Sequence, residues 1–141
     1  MIYLLDTDHL SELQGGATAG RHLALRLSRV APDDYGTTIV TFEEQIRGRL
    51  AQVAASKAAA LDVAFYARLN GTLRFYQSIA VWQYTQEAAQ RCEALRSAKI
   101  RVGTQDLKIA CIALSAGATL LTRNTRHFAQ IPNPLIEDWT A

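Results

Sequence analysis

Short apolar runs alternate along the chain with longer stretches in which apolar residues recur at helical spacing. Continuous runs of this kind are typical of strands buried on both faces of a parallel sheet. The pattern predicts up to five short strands, at IYLLD (2–6), GTTIV (36–40), SIAVW (78–82), ATLLT (118–122) and PLIEDW (134–139).

Helices are predicted between these strands. HLSEL (9–13) begins one, with Asp8 as its N-cap, and 17–30 forms another. A helical hairpin is predicted from about Glu43 to Gln77, broken near Ala55 and Ser56. Three more follow: QEAAQRCEALRSA (86–98) capped by Thr85, TQDLKIACIALSAG (104–117) ending at Gly117, and one turn within RNTRHF (123–128).

Strands that alternate with helices indicate an α/β protein with a central, mainly parallel sheet and helices on both faces. The length of 141 residues fits one domain, predicted to span 1–141, because no linker-like segment interrupts the chain. In such sheets ligands bind at the carboxyl ends of the strands, beside a reversal in strand order. This edge is where functional residues are expected.

Composition narrows the protein class. A hydrophobic fraction of 49% with 20% charged residues is ordinary for a globular protein. No run approaches the roughly 20 apolar residues of a membrane span, and the first run is too short for a signal peptide, so a cytoplasmic location is expected. The net charge of +2 is too small to indicate nucleic-acid binding by itself. Cys92 and Cys111 are predicted to be buried free thiols.

Four polar residues are expected at the carboxyl-end edge of the sheet. Asp6 ends the first strand, and Asn124 follows ATLLT. Glu44 and Asp106 are each placed in the first turn of a helix beside the sheet. Converging carboxylates repel one another unless a cation lies among them, and hard oxygen ligands favour Mg²⁺ or Mn²⁺ over zinc. The pattern therefore suggests phosphoryl chemistry with a metal-activated water.

Several of these residues also have structural explanations. Glu44 stands three residues after Thr41, the spacing of a capping box, and an acid at Asp106 suits the start of a helix. Asp8 is more readily explained as an N-cap than as a ligand. Asp6 has no evident capping role. His9, His22 and His127 are interpreted as surface or locally hydrogen-bonded residues, whereas Arg123 and Arg126 are either a solvated pair or phosphate-binding residues.

With these residues placed, the chain resembles PIN-domain proteins, more narrowly the VapC-type toxins of type II toxin–antitoxin modules. The resemblance spans nearly the whole chain and rests on LLDTDHLSEL, TFEEQIRG, GTQDLKIACIAL, ATLLTRNTRHF and PLIEDWT. The family's first acid matches Asp6, its glutamate matches Glu44 and its third acid matches Asp106. Its fourth acidic position falls on Asn124, an amide in place of an acid, so one firmly held ion is expected.

The resemblance implies a Rossmann-like α/β/α sandwich and an endoribonuclease dependent on Mg²⁺ or Mn²⁺. It also implies a homodimer neutralised by a cognate antitoxin. Because the hairpin from about Glu43 to Gln77 carries apolar stripes that a small core does not fully cover, it is the predicted surface for these contacts. In this scheme Asp6, Glu44 and Asp106 hold the metal, the metal activates a water, and Asn124 orients the water, ion or phosphate. Arg123 and Arg126 then bind the RNA backbone.

Two other functions are compatible with parts of the sequence. A haloacid-dehalogenase-like phosphatase would use Asp6 as nucleophile within the DxD pattern Asp6-Thr7-Asp8. The turn after ATLLT, however, offers RNTR where that family has a pair of aspartates. A catalytically silent PIN-like module would bind RNA without cutting it, although the three retained acids argue against such a loss of chemistry.

Overall fold

The computed structural model describes residues 1–132 and 135–140. Its strands are β1 (Tyr3–Leu5), β2 (Tyr35–Thr38), β3 (Ala80–Trp82), β4 (Thr119–Leu121) and β5 (Ile136–Glu137). Its helices are α1 (Thr7–Gly15), α2 (Thr18–Leu27), α3 (Ile39–Ala55), α4 (Ala59–Gln77), α5 (Gln86–Ser97), α6 (Thr104–Ala116) and α7 (Thr125–Phe128), with one 3₁₀ turn at Pro32–Asp34.

The five strands form one sheet in the order β3-β2-β1-β4-β5, and all four pairings are parallel. This confirms the predicted α/β class with a parallel sheet. The order reverses between β1 and β4, because the chain fills one side of the sheet before it crosses to the other. A crevice at the carboxyl ends of these two strands is therefore the expected ligand site.

Alternate residues of the two central strands face opposite layers, as the two-residue period of a strand requires. Leu4 and Leu120 belong to a core packed against α5 and α6, whereas Leu5 and Leu121 belong to a core packed against α1 and α2. The sheet is thus buried on both faces, which confirms the α/β/α sandwich.

The predicted hairpin corresponds to α3 and α4, with the break at Ser56, the C-cap of α3. The two helices pack against each other, and Arg49 of α3 donates from Nε to Thr72 Oγ1 of α4 at 3.1 Å. A set of large apolar side chains on the hairpin is nevertheless about half exposed or more: Leu50, Leu61, Val63, Tyr66 and Leu73.

Local details differ from the sequence predictions in two helix starts. Thr38, not Thr41, caps α3, because its hydroxyl accepts from the Thr41 backbone N–H at 3.0 Å. Ile39 and Val40, predicted to end a strand, are instead the first turn of α3. Asp6 rather than Asp8 caps α1. The apolar side chains of Ile39 and Val40 can be buried in a strand or in a helix, so the apolar pattern did not distinguish these two conformations.

Other predictions agree with the structure. Thr85 caps α5 and Gly117 ends α6 with φ +63°. Cys92 and Cys111 are free and buried, and burial raises the pKa of the Cys111 thiol to about 12. Of the predicted last strand, Pro134 lies outside the described residues and only Ile136–Glu137 pairs with the sheet. Among the described residues, no helix has both the length and the apolar character needed to cross a membrane.

Candidate active site

The carboxyl ends of the two central strands are joined by hydrogen bonds. The backbone N–H of Asp6, directly after β1, donates to the carbonyl of Leu121 at 2.9 Å. Thr122, directly after β4, donates from its hydroxyl to Asp6 Oδ2 at 2.9 Å. Asp6 is therefore held at the point where the strand order reverses.

Asp6 is a buried carboxyl, with 7% of its surface exposed. Its Oδ1 accepts from the Thr7 backbone N–H at 2.8 Å, so it has the capping role that its sequence position did not reveal. The pKa of Asp6 is raised to about 6, chiefly by burial and in smaller part by the charges of Asp8 and Asp106, despite the lowering effect of the bonds from Thr7 and Thr122. An acid so placed is costly to ionise without a nearby cation.

Asp8 lies in the first turn of α1 and organises its surroundings. Its carboxylate contacts His9 Nδ1 at 2.7 Å and accepts from the Arg123 backbone N–H at 3.1 Å. Thr122 Oγ1 lies 3.2 Å from Asp8 Oδ2. Burial opposes ionisation of Asp8, but the bonds from His9, Arg123 and Thr122 outweigh burial and lower its pKa. Asp8 is therefore a stable anion that fastens the segment after β4.

Glu44 faces the same acids from α3. It is the sixth residue of this helix, so it lies in the second turn and not, as predicted, in the first, and the proposed capping box with Thr41 is wrong. Burial raises the pKa of Glu44, and the charges of Asp6 and Asp106 add to the rise. Its Oε1 is buried and has no hydrogen-bond partner among the described residues. Such an orphaned oxygen is expected to bind an absent group.

Asp106 is in the first turn of α6, as predicted. Its Oδ2 lies 3.3 Å from His127 Nε2 of α7. The neighbouring Gln105 donates to Glu43 Oε1 at 2.9 Å and so ties α6 to α3. Glu43 also pairs with Arg47 at 2.7 Å, and it lies about 100° from Glu44 around the helix, so the two side chains point in different directions.

Asn124 and the two arginines occupy the loop after β4. Asn124 is at the N-cap position of α7, and its backbone N–H donates to Thr122 Oγ1 at 3.0 Å. Arg123 pairs with Glu12 at 2.9 Å and donates from Nε to Thr140 at 2.9 Å, so its guanidinium is held by internal partners. Arg126 is exposed and has no ion pair within the described part of the chain.

Sequence reasoning missed the supporting residues of this edge. Thr122 bridges Asp6, Asp8 and the Asn124 backbone, and its position directly after a predicted strand was the available signal. His9 is fully buried: it faces Asp8 through Nδ1 and accepts from the Trp139 backbone N–H at 2.9 Å through Nε2. This pairing places its proton on Nδ1 and anchors the C-terminal segment beside the site.

The carboxyl oxygens of Asp6, Glu44 and Asp106 suit a hard cation, although they do not form a complete metal-binding site. No group of three or more His, Cys, Asp or Glu side chains within 1–132 and 135–140 has the arrangement of a ready metal site. Asp6, Glu44 and Asp106 are nevertheless close enough for the charges of Asp6 and Asp106 to raise the pKa of Glu44. All three offer oxygen, and Glu44 has a free buried oxygen, so these residues fit Mg²⁺ or Mn²⁺.

Proteins similar to this chain in sequence and proteins similar to it in structure have related names. The chain is 28% identical over 141 residues to ribonuclease VapC1 of Haemophilus influenzae strain R2866, covering 99% of each. Its fold is similar to a chain in the structure of VapBC-1 from nontypeable Haemophilus influenzae, with a TM-score of 0.79, 25% identity and full coverage of both.

A chain in the DNA-bound VapBC structure from Salmonella typhimurium gives a TM-score of 0.75 at 26% identity, with 99% of this chain and 98% of that chain covered. No family model matches the sequence. The relatives therefore agree with each other in name and with this chain in fold and length.

Asp6 makes the free energy of unfolding depend on pH when divalent ions are absent. Its carboxyl keeps a proton up to about pH 6 in the folded protein, whereas the unfolded chain loses it near pH 4. Between these values the folded state binds more protons, so stability falls as the pH rises. The difference between the folded and unfolded pKa values of Asp6 corresponds to a change of about 3 kcal/mol in the free energy of unfolding.

We expect Asp6→Asn to remove most of this fall, as measured by urea unfolding in EDTA at several pH values between about 4 and 7. Asp33→Asn is the matched control, since Asp33 is an exposed carboxyl of the 3₁₀ turn and should leave the pH profile unchanged. Equal pH slopes in the wild type and Asp6→Asn would contradict the assignment.

Proposed function

We propose, from the premise that this chain is a VapC-like PIN-domain protein, that it is the endoribonuclease toxin of a type II toxin–antitoxin module. The observation that carries the proposal is the group of acids at the strand reversal. Asp6, Glu44 and Asp106 come from three separate elements, and the charges of Asp6 and Asp106 raise the pKa of Glu44. Sequence relatives named as ribonucleases over the full length support the reaction class.

The proposed cofactor is Mg²⁺, with Mn²⁺ as a substitute, held by Asp6, Glu44 and Asp106. When bound, the ion supplies positive charge that polarises water and balances charge developing on the phosphate. The orphaned Oε1 of Glu44 supports this assignment, because ligation would satisfy a buried acceptor. Because Asn124 carries an amide at the fourth position, the proposal is for one firmly held ion.

Residues of the chain prepare this site before substrate arrives. Thr122 and the Thr7 N–H fix the two oxygens of Asp6, so its carboxylate is oriented in advance. Asp8 holds the backbone of Arg123 and thereby the loop that carries Asn124. The Asn124 amide is proposed to orient the attacking water or the scissile phosphate. Arg126, which is exposed on α7, is proposed to bind an RNA phosphate, and Arg123 to do so from its position beside Glu12.

The phosphatase alternative receives less support from the contacts of the second aspartate. A DxD phosphatase needs Asp8 to act on the leaving group beside Asp6. Asp8 instead engages His9 and the Arg123 backbone N–H, which makes it a structural anion. RNA is therefore the proposed substrate. The cytoplasm is the proposed place of action.

We further propose a homodimer and a cognate antitoxin as partners. Half-exposed apolar side chains on α3 and α4 form a surface that a second protein chain could cover. Solved relatives in VapBC structures support an antitoxin partner.

The nuclease assignment predicts loss of activity on removal of single acids. Asp6→Asn and Asp106→Asn should each lower the rate of RNA cleavage in Mg²⁺ by at least about 100-fold, because each removes a charge that holds the cation. Cleavage is measured on a structured RNA mixture with Mg²⁺, Mn²⁺ or EDTA, beside the matched control Asp33→Asn.

Cleavage at the wild-type rate by Asp6→Asn would contradict the mechanism. Intact RNA together with hydrolysis of a small phosphate ester through Asp6 would support the phosphatase. Binding of RNA without any cleavage would support the silent module.

The dimer proposal predicts a change in mass for variants of α4. Tyr66→Glu and Leu73→Glu place charges on the half-exposed apolar surface, so each should shift the protein from dimer to monomer in light-scattering measurements. Leu25→Glu is the matched control on α2, with 57% of the leucine exposed, and should leave the mass unchanged. A monomeric wild type, or dimers in all three variants, would rule out this surface.

A further inference from the structure

A cavity of about 320 Å³ opens between α1, α3 and α4, apart from the acids. Its lining consists of two arginines, two uncharged polar residues, a glycine and an aromatic ring: Arg49, Arg68, Gln14, Thr72, Gly71 and Phe75. Arg49 follows Glu44 by five residues on α3, which is about 7.5 Å along the helix axis. The two residues are also about 140° apart around the helix, so the cavity lies beside a different face of α3 from Glu44.

The arginines of this cavity lack acidic partners. Arg47, Arg91 and Arg123 all pair with glutamates. Neither Arg49 nor Arg68 has a carboxylate within 4.0 Å among residues 1–132 and 135–140. The same holds for exposed arginines such as Arg74 and Arg126, but Arg49 and Arg68 lie together in one cavity. Two neighbouring cations without counter-charges attract an anion, and the forked guanidinium is suited to phosphate.

The cavity is also rigid on one side. Thr72, 4% exposed, accepts from Arg49 Nε at 3.1 Å and donates to the Arg68 carbonyl at 3.0 Å. This bond uses only one N–H of Arg49, so its terminal nitrogens stay available for a ligand. Gln14 is fixed by a reciprocal amide pair with Gln45, at 2.9 and 3.1 Å. Arg49, Thr72 and Gln14 are therefore oriented before a ligand binds, whereas the Arg68 guanidinium lies over the Phe65 ring, with Cζ 5.8 Å from the ring centroid.

The remaining lining residues favour a nucleotide over an acidic peptide. A Cβ added at Gly71 would meet no atom within 4 Å outside its own stretch of helix backbone, so the helix surface is open at this position. Phe75 supplies an aromatic ring next to the two arginines. Stacking of unpaired bases on aromatic rings beside phosphate-binding arginines is the usual mode of single-stranded RNA binding.

We propose that this cavity is a second substrate subsite, which binds a backbone phosphate of the RNA strand through Arg49 and Arg68 with a base against Phe75. The subsite rests on the proposed nuclease function, because its ligand is the uncut portion of the same RNA. Gln45 connects the two sites: it follows Glu44 in sequence and accepts from the Tyr76 hydroxyl at 2.9 Å while it pairs with Gln14.

The test is equilibrium binding of a short fluorescent single-stranded RNA to the full chain in EDTA, followed by anisotropy over a range of salt concentrations. Arg49→Met and Arg68→Met should each weaken binding by at least about fivefold and lower the salt slope by about 0.7. Arg74→Met is the matched control, because Arg74 is exposed on the same helix but does not line the cavity. It should change the affinity by less than about twofold.

Gly71→Glu keeps the proposal testable if loss of the Arg49–Thr72 bond impairs folding. It introduces a carboxylate into the cavity while replacing a helical glycine by a better helix former. We expect thermal unfolding at the wild-type temperature or above, with RNA binding at least about fivefold weaker. Binding equal to wild type in Arg49→Met, Arg68→Met and Gly71→Glu would overturn the subsite.

Cleavage assays separate this outcome from failure of the nuclease itself. Asp6-dependent cleavage by the wild type, with normal RNA binding by the cavity variants, would refute only the subsite. A wild type that neither binds nor cuts RNA would refute the proposed function and the subsite with it. If the variants lose binding of a polyglutamate probe but not of RNA, the cavity is a peptide site and the proposal is wrong.

Discussion

The hydrogen bond from Thr122 to Asp6 links the carboxyl ends of the two central strands, and the candidate site depends on it. β1 and β4 are adjacent in the sheet but more than a hundred residues apart in sequence. Their pairing brings Asp6 beside Thr122, and Thr122 in turn accepts from the Asn124 backbone. The same hydroxyl contacts Asp8, which holds the Arg123 N–H. One threonine thus connects the first acid of the chain to the loop of the fourth site residue.

Several carboxyl groups lie together at this edge, and their ionised forms are disfavoured by burial and by mutual repulsion. Burial raises the pKa of both Asp6 and Glu44, and neighbouring carboxylates raise these pKa values further. The pKa of Asp8 is lowered instead, because the bonds from His9 and the Arg123 N–H, together with the contact to Thr122, stabilise its charge. The edge therefore contains one neutralised anion with a structural role and a group of poorly neutralised acids. Only the second group gains from a cation, which is the physical basis for assigning it to chemistry.

The sequence alone predicted a parallel sheet and the order of helices and strands along the chain. It also predicted that Asp6, Asp106 and Asn124 lie at strand ends and helix starts. It was misleading at Val40, whose burial is equally satisfied by a strand or by the first turn of α3. Because α3 begins earlier than predicted, Glu44 lies in its second turn and not at a capping position. His9 could not be assigned from sequence because its partner Trp139 lies 130 residues away. Local pattern therefore locates strand ends, whereas long-range pairing decides which polar side chains are neutralised.

If Asp6, Glu44 and Asp106 form a cation site, Mg²⁺ must change the free energy of unfolding near pH 7, and this change is the first quantity to measure. Binding to the folded state alone must stabilise it, by an amount set by the ion concentration and Kd. We expect Mg²⁺ to raise the free energy of unfolding of the wild type and of Asp33→Asn, but not of Asp6→Asn or Glu44→Gln. Equal stabilisation of all four proteins, or none in the wild type, would contradict the cation site.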